Sequence, residues 1–290
     1  EDGDATLTSV SGDEATSISF SSENNLTVGS GVTNTNDDSG DEGLEDDATN
    51  VSNTGDDITE SIDAANVAGA FTIALGTDLG SDENNDFSFT GGDGGVNLDV
   101  GDQSGNNENT VEITTGSGED TIHITADVAT NGAGDEETFE LSTGDGDDLL
   151  NVNGDVGTAA DDSFIDLGDG NNTIRFLDDG AAADGSDIGN AEVQGTISTI
   201  RIDDTAGAGA NTINGTAFDG SDVEINNFGD ANNARFVVNL DDDQDTDLSG
   251  ISFNGFATGT DGVTVNGGDG KNEITGSDGQ DIITGDDGED

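Results

Sequence analysis

Cysteine, proline, methionine, tryptophan and tyrosine are all missing from this 290-residue chain. Without cysteine there is no disulfide and no thiolate metal site. At ordinary frequency about 15 prolines would be present. Proline lacks the N–H that an interior ladder needs, so its absence suits a chain that is mostly one continuous sheet ladder. Basic residues are nearly missing too: 4 Lys+Arg stand against 66 Asp+Glu, a formal charge of -62. Such a field repels nucleic acid and anionic membrane surfaces and attracts cations. No apolar run approaches the about 18 residues that a membrane helix needs. No secretory signal is visible and Glu1 is not an initiator methionine, so the chain is expected to be a processed or partial product. A single histidine, His123, argues against zinc sites and catalytic triads, which usually need further His or Cys. Hydrophobic residues make up 29%. That low share raises the possibility of disorder, but the apolar residues are regularly placed.

Their placement is a repeat. Around Gly144 the chain reads TFELSTGDGDDLLNV. Phe139 and Leu141 share one side of an extended strand, a glycine-rich loop follows, and Leu150 and Val152 form a second alternating pair. The unit recurs around Gly92, Gly116, Gly168 and Gly207, and more weakly at Gly229 and Gly268. The leading glycines lie 24, 28, 24, 39, 22 and 39 residues apart. The spacing reads as coils of about 24 residues with polar insertions such as 178–194. Two short apolar pairs per unit cannot be buried alone, and stacking would bury them in one thin core. The fold class expected is all-β: a parallel β-solenoid or β-roll stabilised by calcium. The alternative is a tandem antiparallel β-sandwich in which each strand–loop–strand is a hairpin.

Three regions are expected. Residues 1–85 form an N-terminal β-rich segment with long acidic loops. Residues 86–266 form degenerate solenoid coils, and 267–290 a truncated nonapeptide array. Within the first region TSISF and NLTV alternate like strands, and residues 56–71 fit a short helix. Asp57 would be its N-cap, with Ile58, Ile62 and Ala65 on one face. The acidic stretch from Thr33 reads as a long loop.

The last 24 residues hold eight carboxylates against one lysine. They follow the pattern G-G-x-G-x-D-x-U-x, with U apolar. Gly267 to Thr275 is one copy, Gly276 to Thr284 the next, and Gly285 to Asp290 begins a third. This resembles the repeats-in-toxin (RTX) calcium-binding proteins. The resemblance implies a parallel β-roll in which the sixth-position aspartate and loop carbonyls bind Ca²⁺ between turns. On this chain it implies that role for Asp120, Asp148 and Asp281. Asn172, Asn211 and Asn272 would supply neutral oxygens, and Val96 in the Gly92 loop no ligand. Asp145, Asp169, Asp269, Asp278 and Asp287 lie in the same loops and are further candidates. The chemistry is consistent apart from the resemblance. Calcium takes six to eight oxygen ligands in irregular geometry, and glycine lets the backbone turn its carbonyls inward. An ion would reverse the repulsion among the carboxylates, linking binding to folding.

Other features read as structural. His123 lies opposite Ile122 and Ile124, hence on an outer strand face. Arg175 and Arg201 point outward by the same alternation. They would pair with neighbouring aspartates, or form a basic stripe that docks the acidic face of another copy. Phe139, Phe164 and Phe176 read as core fillers. The expected function is non-enzymatic: an extracellular, cell-surface, calcium-binding repeat subunit that self-assembles into a surface layer, filament or adhesin stalk. Its partners would be other copies of itself and divalent cations, with no nucleic acid and no membrane insertion. The rivals are a non-catalytic fragment of a secreted carbohydrate-active enzyme and a salt-adapted surface protein without specific calcium.

Overall fold

The computed structural model describes residues 4–7, 10–12, 17–28, 32–35, 52–54, 61–75, 86–101, 110–125, 127–128, 138–157, 163–177, 186–203, 210–218, 222–227, 235–242, 244–255, 262–268, 271–277 and 279–285. Every strand pair among them is parallel. The two strands flanking a glycine loop never pair with each other; they belong to different sheets. The hairpin alternative is thereby overturned, and the fold is a parallel β-solenoid.

A ten-stranded sheet forms one side, from Ala5–Leu7 through Phe71–Leu75, Val96–Val100, Thr121–Ile124, Leu149–Val152, Asn172–Phe176 and Ile197–Ile202 to Ser252–Asn254. A seven-stranded sheet forms a second side, from Ser17–Ser22 to Glu192–Gln194. Short pieces extend it: Val193 N donates to Thr216 Oγ1 in a 3₁₀ turn, and Thr246–Asp247 pairs with Ile274–Thr275. A five-stranded sheet from Asp187–Ile188 to Asp281–Thr284 forms the third side. The single bridge Val128–Val156 and the bond from Val156 N to the Asp187 carbonyl lead into it.

Alternation drives the burial. Phe139 and Leu141 are buried while Glu140 between them is exposed. The coil 138–157 buries five large apolar side chains: Phe139, Leu141, Leu150, Val152 and Val156. At about 1.5–3 kcal/mol each, that cannot offset an ordering cost of roughly 1–2 kcal/mol per residue over some twenty residues. A coil is therefore stable only between neighbours. The ladder crosses residue 85, with Phe71 in register with Val96 and Ile62 with Phe89. Asn172, Ile174 and Phe176 of one coil stand over Ile197, Ile200 and Ile202 of the next, with a bulge that absorbs the irregular spacing.

Four expectations need correction. Residues 56–71 hold no helix among those described: Ser61–Val67 is a strand paired with Ser17–Ser22. Ile62, Ala64 and Val67 are buried and Ala65 exposed, because flanking strands on both sides offer ladder partners that a helix would forgo. A bulge opposite Ser19–Ser21 shifts the period, and Asp63 Oδ1 accepts the Ala65 N–H there at 2.9 Å. Asp57 and Ile58 lie outside the described residues. The supposed insertion 178–194 contains two strands, Asp187–Ile188 and Glu192–Gln194, with Ile188 and Val193 fully buried. Phe164 is not a core filler; it sits half-buried on the outer face, while Ser163 and Ile165 point inward. The loop expected from Thr33 starts and ends in strands, since Thr33–Thr35 pairs with Ser52–Thr54. Residues 36–51 between them lie outside the described residues.

Candidate functional site: a stacked column of acidic corners

Four glycine loops stack at the corner between the seven-stranded and ten-stranded sheets: 91–96, 115–120, 143–148 and 167–172. The remaining glycines of the repeat fall, in chain order, between other pairs of sheets. Gly207 and Gly229, themselves outside the described residues, lie between strands of the ten-stranded and third sheets, and Gly268 lies between the third sheet and Ile274–Thr275. This explains the spacings: 24, 28 and 24 are steps along one corner, whereas 39 marks a change of corner.

Backbone contact dictates glycine in this column. A Cβ on Gly116 would lie 2.5 Å from the Gly92 carbonyl oxygen, and one on Gly144 2.2 Å from that of Gly116. At Gly168 the distance to the Gly144 oxygen would be 1.7 Å. Gly144 and Gly168 also take φ of +83° and +60°, which side chains rarely adopt.

In the last three of these loops the sixth residue turns inward and ties its coil to the one before, whereas the first loop has Val96 there. Asp120 Oδ1 accepts the Val96 N–H at 2.7 Å, Asp148 Oδ1 the Asp120 N–H at 2.8 Å, and Asn172 Oδ1 the Asp148 N–H at 2.9 Å. All three side chains are buried. In these three loops the first residue is matched to the sixth. Thr115 donates its hydroxyl to Asp120 Oδ2. Where the sixth residue is Asn172 the first is Leu167, and the amide Nδ2 donates to the Leu167 and Gly168 carbonyls at 2.6 and 3.3 Å. A carboxylate needs a donor beside it and an amide needs an acceptor, so a threonine five residues before an aspartate is the sequence signal for this arrangement.

Thr143 stands beside Asp148 as Thr115 does beside Asp120: the contact of its hydroxyl with the carboxylate falls short of a well-formed hydrogen bond, yet it lowers the Asp148 carboxyl against the burial that raises it. The side-chain donors here are oxygen only, one carboxylate and one hydroxyl, the donor type that a hard cation takes. Among the described residues no three acidic groups converge. Of the side chains at this corner, Asp148 and Thr143 are the ones that would hold an ion.

Burial pushes the Asp120 carboxyl from 3.8 up to about 6, against the hydrogen bonds from Thr115 and Val96, and raises Asp148 as well. The folded chain thus holds a proton on Asp120 that the unfolded chain releases. This contribution is complete below pH about 4 and is lost as pH rises through about 6. In calcium-free buffer the protein is expected to melt higher near pH 5 than near pH 7, the reverse of ordinary acid denaturation. Thermal scans of the wild type and Asp120→Asn check this. The variant should lose part of the gradient, and equal gradients would refute the assignment.

The other candidates are dispersed. Asp145 and Asp169 are exposed on the rim of the same corner. Asp147 beside them accepts the Asn171 N–H and amide at 2.8 and 2.9 Å, which holds its carboxyl low. Asn211 is buried at the start of a third-sheet strand with Oδ1 unpartnered. Asn272 donates to the Asp241 and Gln244 carbonyls at 3.1 and 2.8 Å, and its buried Oδ1 is also unpartnered. Asp281 is half-buried and its Oδ1 accepts the Ser277 hydroxyl at 2.5 Å. Asp269, Asp278 and Asp287 lie outside the described residues. The two nonapeptides together make one short turn, with Val265 in register with Ile283 eighteen residues on. That turn omits a strand of the ten-stranded sheet, and the loop at Gly279 lies against the Phe253 ring instead.

The fold and this column define an acidic, parallel β-solenoid with oxygen-lined corners. No protein-family model, curated protein or solved structure matches the chain.

Proposed function

We propose that this chain is an extracellular structural protein: a calcium-binding repeat subunit whose copies join end to end into a surface layer, filament or stalk. The observation that carries the reading is the coil ladder itself: each coil is buried by the coils stacked on it, as Ile188, Ile213, Val238 and Val265 are in one column. A second copy offers the same ladder, and head-to-tail addition would propagate it. Ile282 and Ile283, exposed on the strand next to Val265, are where such a contact is probed.

Calcium supports the same reading. The Thr143 hydroxyl and the Asp148 carboxylate are oxygen donors of the type a hard cation takes, and a net charge of -62 opposes any approach of two copies until cations gather around it. Sedimentation velocity of the wild type and an Ile282→Lys/Ile283→Lys variant, in calcium and in EGTA, tests the proposal. The wild type should form concentration-dependent oligomers in calcium, which the variant loses while remaining folded. A wild type that stays monomeric in both buffers would refute it.

A further inference from the structure

The chain contains five Asn–Gly pairs, the dipeptide in which an asparagine side chain is most open to attack by the next backbone nitrogen, because glycine brings no Cβ to shield it. We propose that the fold leaves one of them, Asn254–Gly255, free to react. It converts spontaneously to aspartate and isoaspartate, so that the folded protein acquires a mark of its age. The proposal is independent of the assembly reading.

The reaction needs water and no cofactor. The Gly255 nitrogen attacks the Asn254 side-chain carbon Cγ and gives up its proton. The Cγ–Nδ2 bond breaks, and Nδ2 leaves with that proton as ammonia. A five-membered imide remains, and one water opens it. Opening at Cγ yields aspartate, and opening at the main-chain carbonyl yields isoaspartate. Nothing is oxidised or reduced. Three conditions follow. The glycine N–H must not be held by an acceptor, the chain must be able to leave the extended form to close the ring, and water must reach the oxyanion that develops on Oδ1.

The described pairs all lie at strand ends, and they differ in these conditions. Asn214 is buried at 1% exposure. Its Nδ2 donates to the Gly189 carbonyl and to Asp241 Oδ2, while its Oδ1 accepts from Thr216 N and Gln244 Nε2. Asn266 is exposed, but the nitrogen that would attack is engaged: Gly267 N donates to the Thr284 carbonyl at 2.7 Å. Its Nδ2 donates to Asn239 Oδ1 at 3.0 Å as well. Asn153 has its Oδ1 buried without a donor, so the oxyanion would form away from water. Bonds from Asn153 N to the Ile124 carbonyl and from Asp155 N to Asp127 Oδ1 also hold the chain on both sides of Gly154. The fifth pair, Asn131–Gly132, lies outside the described residues.

Asn254–Gly255 meets all three conditions. Both residues are exposed. Asn254 is the last residue of Ser252–Asn254, the terminal strand of the ten-stranded sheet. Its Nδ2 donates to Glu224 Oε1 at 3.3 Å, on the water side of the sheet. Among the described residues no acceptor meets the Gly255 N–H. Gly255 takes φ of +83°, a conformation that favours glycine there and so retains the most reactive neighbour. Either product adds a negative charge. An isoaspartyl link also routes the main chain through Cγ, which lengthens it by one methylene and breaks the pairing of Asn254 with Asn226.

The full chain, kept folded in calcium buffer made with heavy-oxygen water at mildly alkaline pH, tests the proposal. Each conversion fixes one heavy oxygen. Trypsin cuts after Arg175, Arg201, Arg235 and Lys271, which puts Asn254 and Asn266 in one peptide, 236–271, and Asn214 and Asn153 in two others. Fragmentation of these peptides in a mass spectrometer then locates the label. Asn254 should acquire it at least about tenfold faster than Asn153, Asn214 or Asn266. In urea, which dissolves the ladder, the four rates should converge. Asn254→Gln, which would have to close a six-membered ring, should stay folded and lose the fast label. The proposal is overturned if Asn254 in the folded chain reacts no faster than the other three. It is equally overturned if urea leaves Asn254 ahead by the same factor, because local sequence rather than the fold would then set the order.

Discussion

A Gly168→Ala chain is expected to lose at least about 3 kcal/mol of stability at its corner, whether or not calcium is present. The new Cβ would lie 1.7 Å from the Gly144 carbonyl oxygen, and the backbone is held at φ +60°. The left-handed conformation alone costs alanine about 1–2 kcal/mol, and relief of the contact requires two coils to separate. For a chain of this size the melting temperature should fall by roughly 6–12 °C. Gly267→Ala is the control. Its Cβ would come no closer than 3.2 Å to a neighbour, at Asn272 Oδ1, and its φ is not left-handed. It should cost under about 1 kcal/mol. Urea titrations of both variants in EGTA check the pair. Equal losses would mean that backbone stacking is not what selects glycine at this corner.

The second large effect separates the structural task of Asp148 from its metal chemistry. Asp148→Asn keeps an Oδ1 to accept the Asp120 N–H, as Asn172 already does for Asp148 one coil on. It also removes a buried negative charge. The variant should be as stable as the wild type, or more so, in EGTA. Asp148→Leu leaves the Asp120 N–H buried without an acceptor, costing about 1–3 kcal/mol. With calcium the order changes. At a free concentration of 100 times the dissociation constant, an ion bound only to the folded chain adds about 2.7 kcal/mol. Asp148→Asn should lose that increment at its corner, and Thr143→Ala should reduce it. Differential scanning calorimetry in EGTA and in calcium reads both effects. An Asp148→Asn chain that gains as much from calcium as the wild type would remove the ion from this site.

Much of this architecture is legible in the sequence. Phe139, Leu141, Leu150 and Val152 bracket a glycine loop, and the same bracket recurs 24 or 28 residues on, which is enough to specify stacked coils. What it cannot give is the corner to which each loop belongs. The glycine loop looks alike wherever the chain turns, so Gly207 and Gly268 read as copies of Gly168 although they lie between other pairs of sheets. Ser61–Val67 is misread because Ile58, Ile62 and Ala65 fall at helical spacing, and only partner strands far away in sequence decide for the extended form. Ile188 and Val193 are missed because single apolar residues among Asp, Gly and Ala show no alternation. At the candidate site the inward aspartates are visible through the motif, whereas the matching of Thr115 to Asp120 and Leu167 to Asn172 emerges only when coils are superposed.

The coil ladder also determines how this molecule would bear tension. Pulled along the solenoid axis, its coils are loaded in series, so the weakest yields before the rest. A coil of 24 residues that unspools lengthens the molecule by roughly 80 Å, where folded it spanned about 4.8 Å. Anchored at one end and tugged at the other, such a rod would give way a loop at a time and absorb a jerk without snapping.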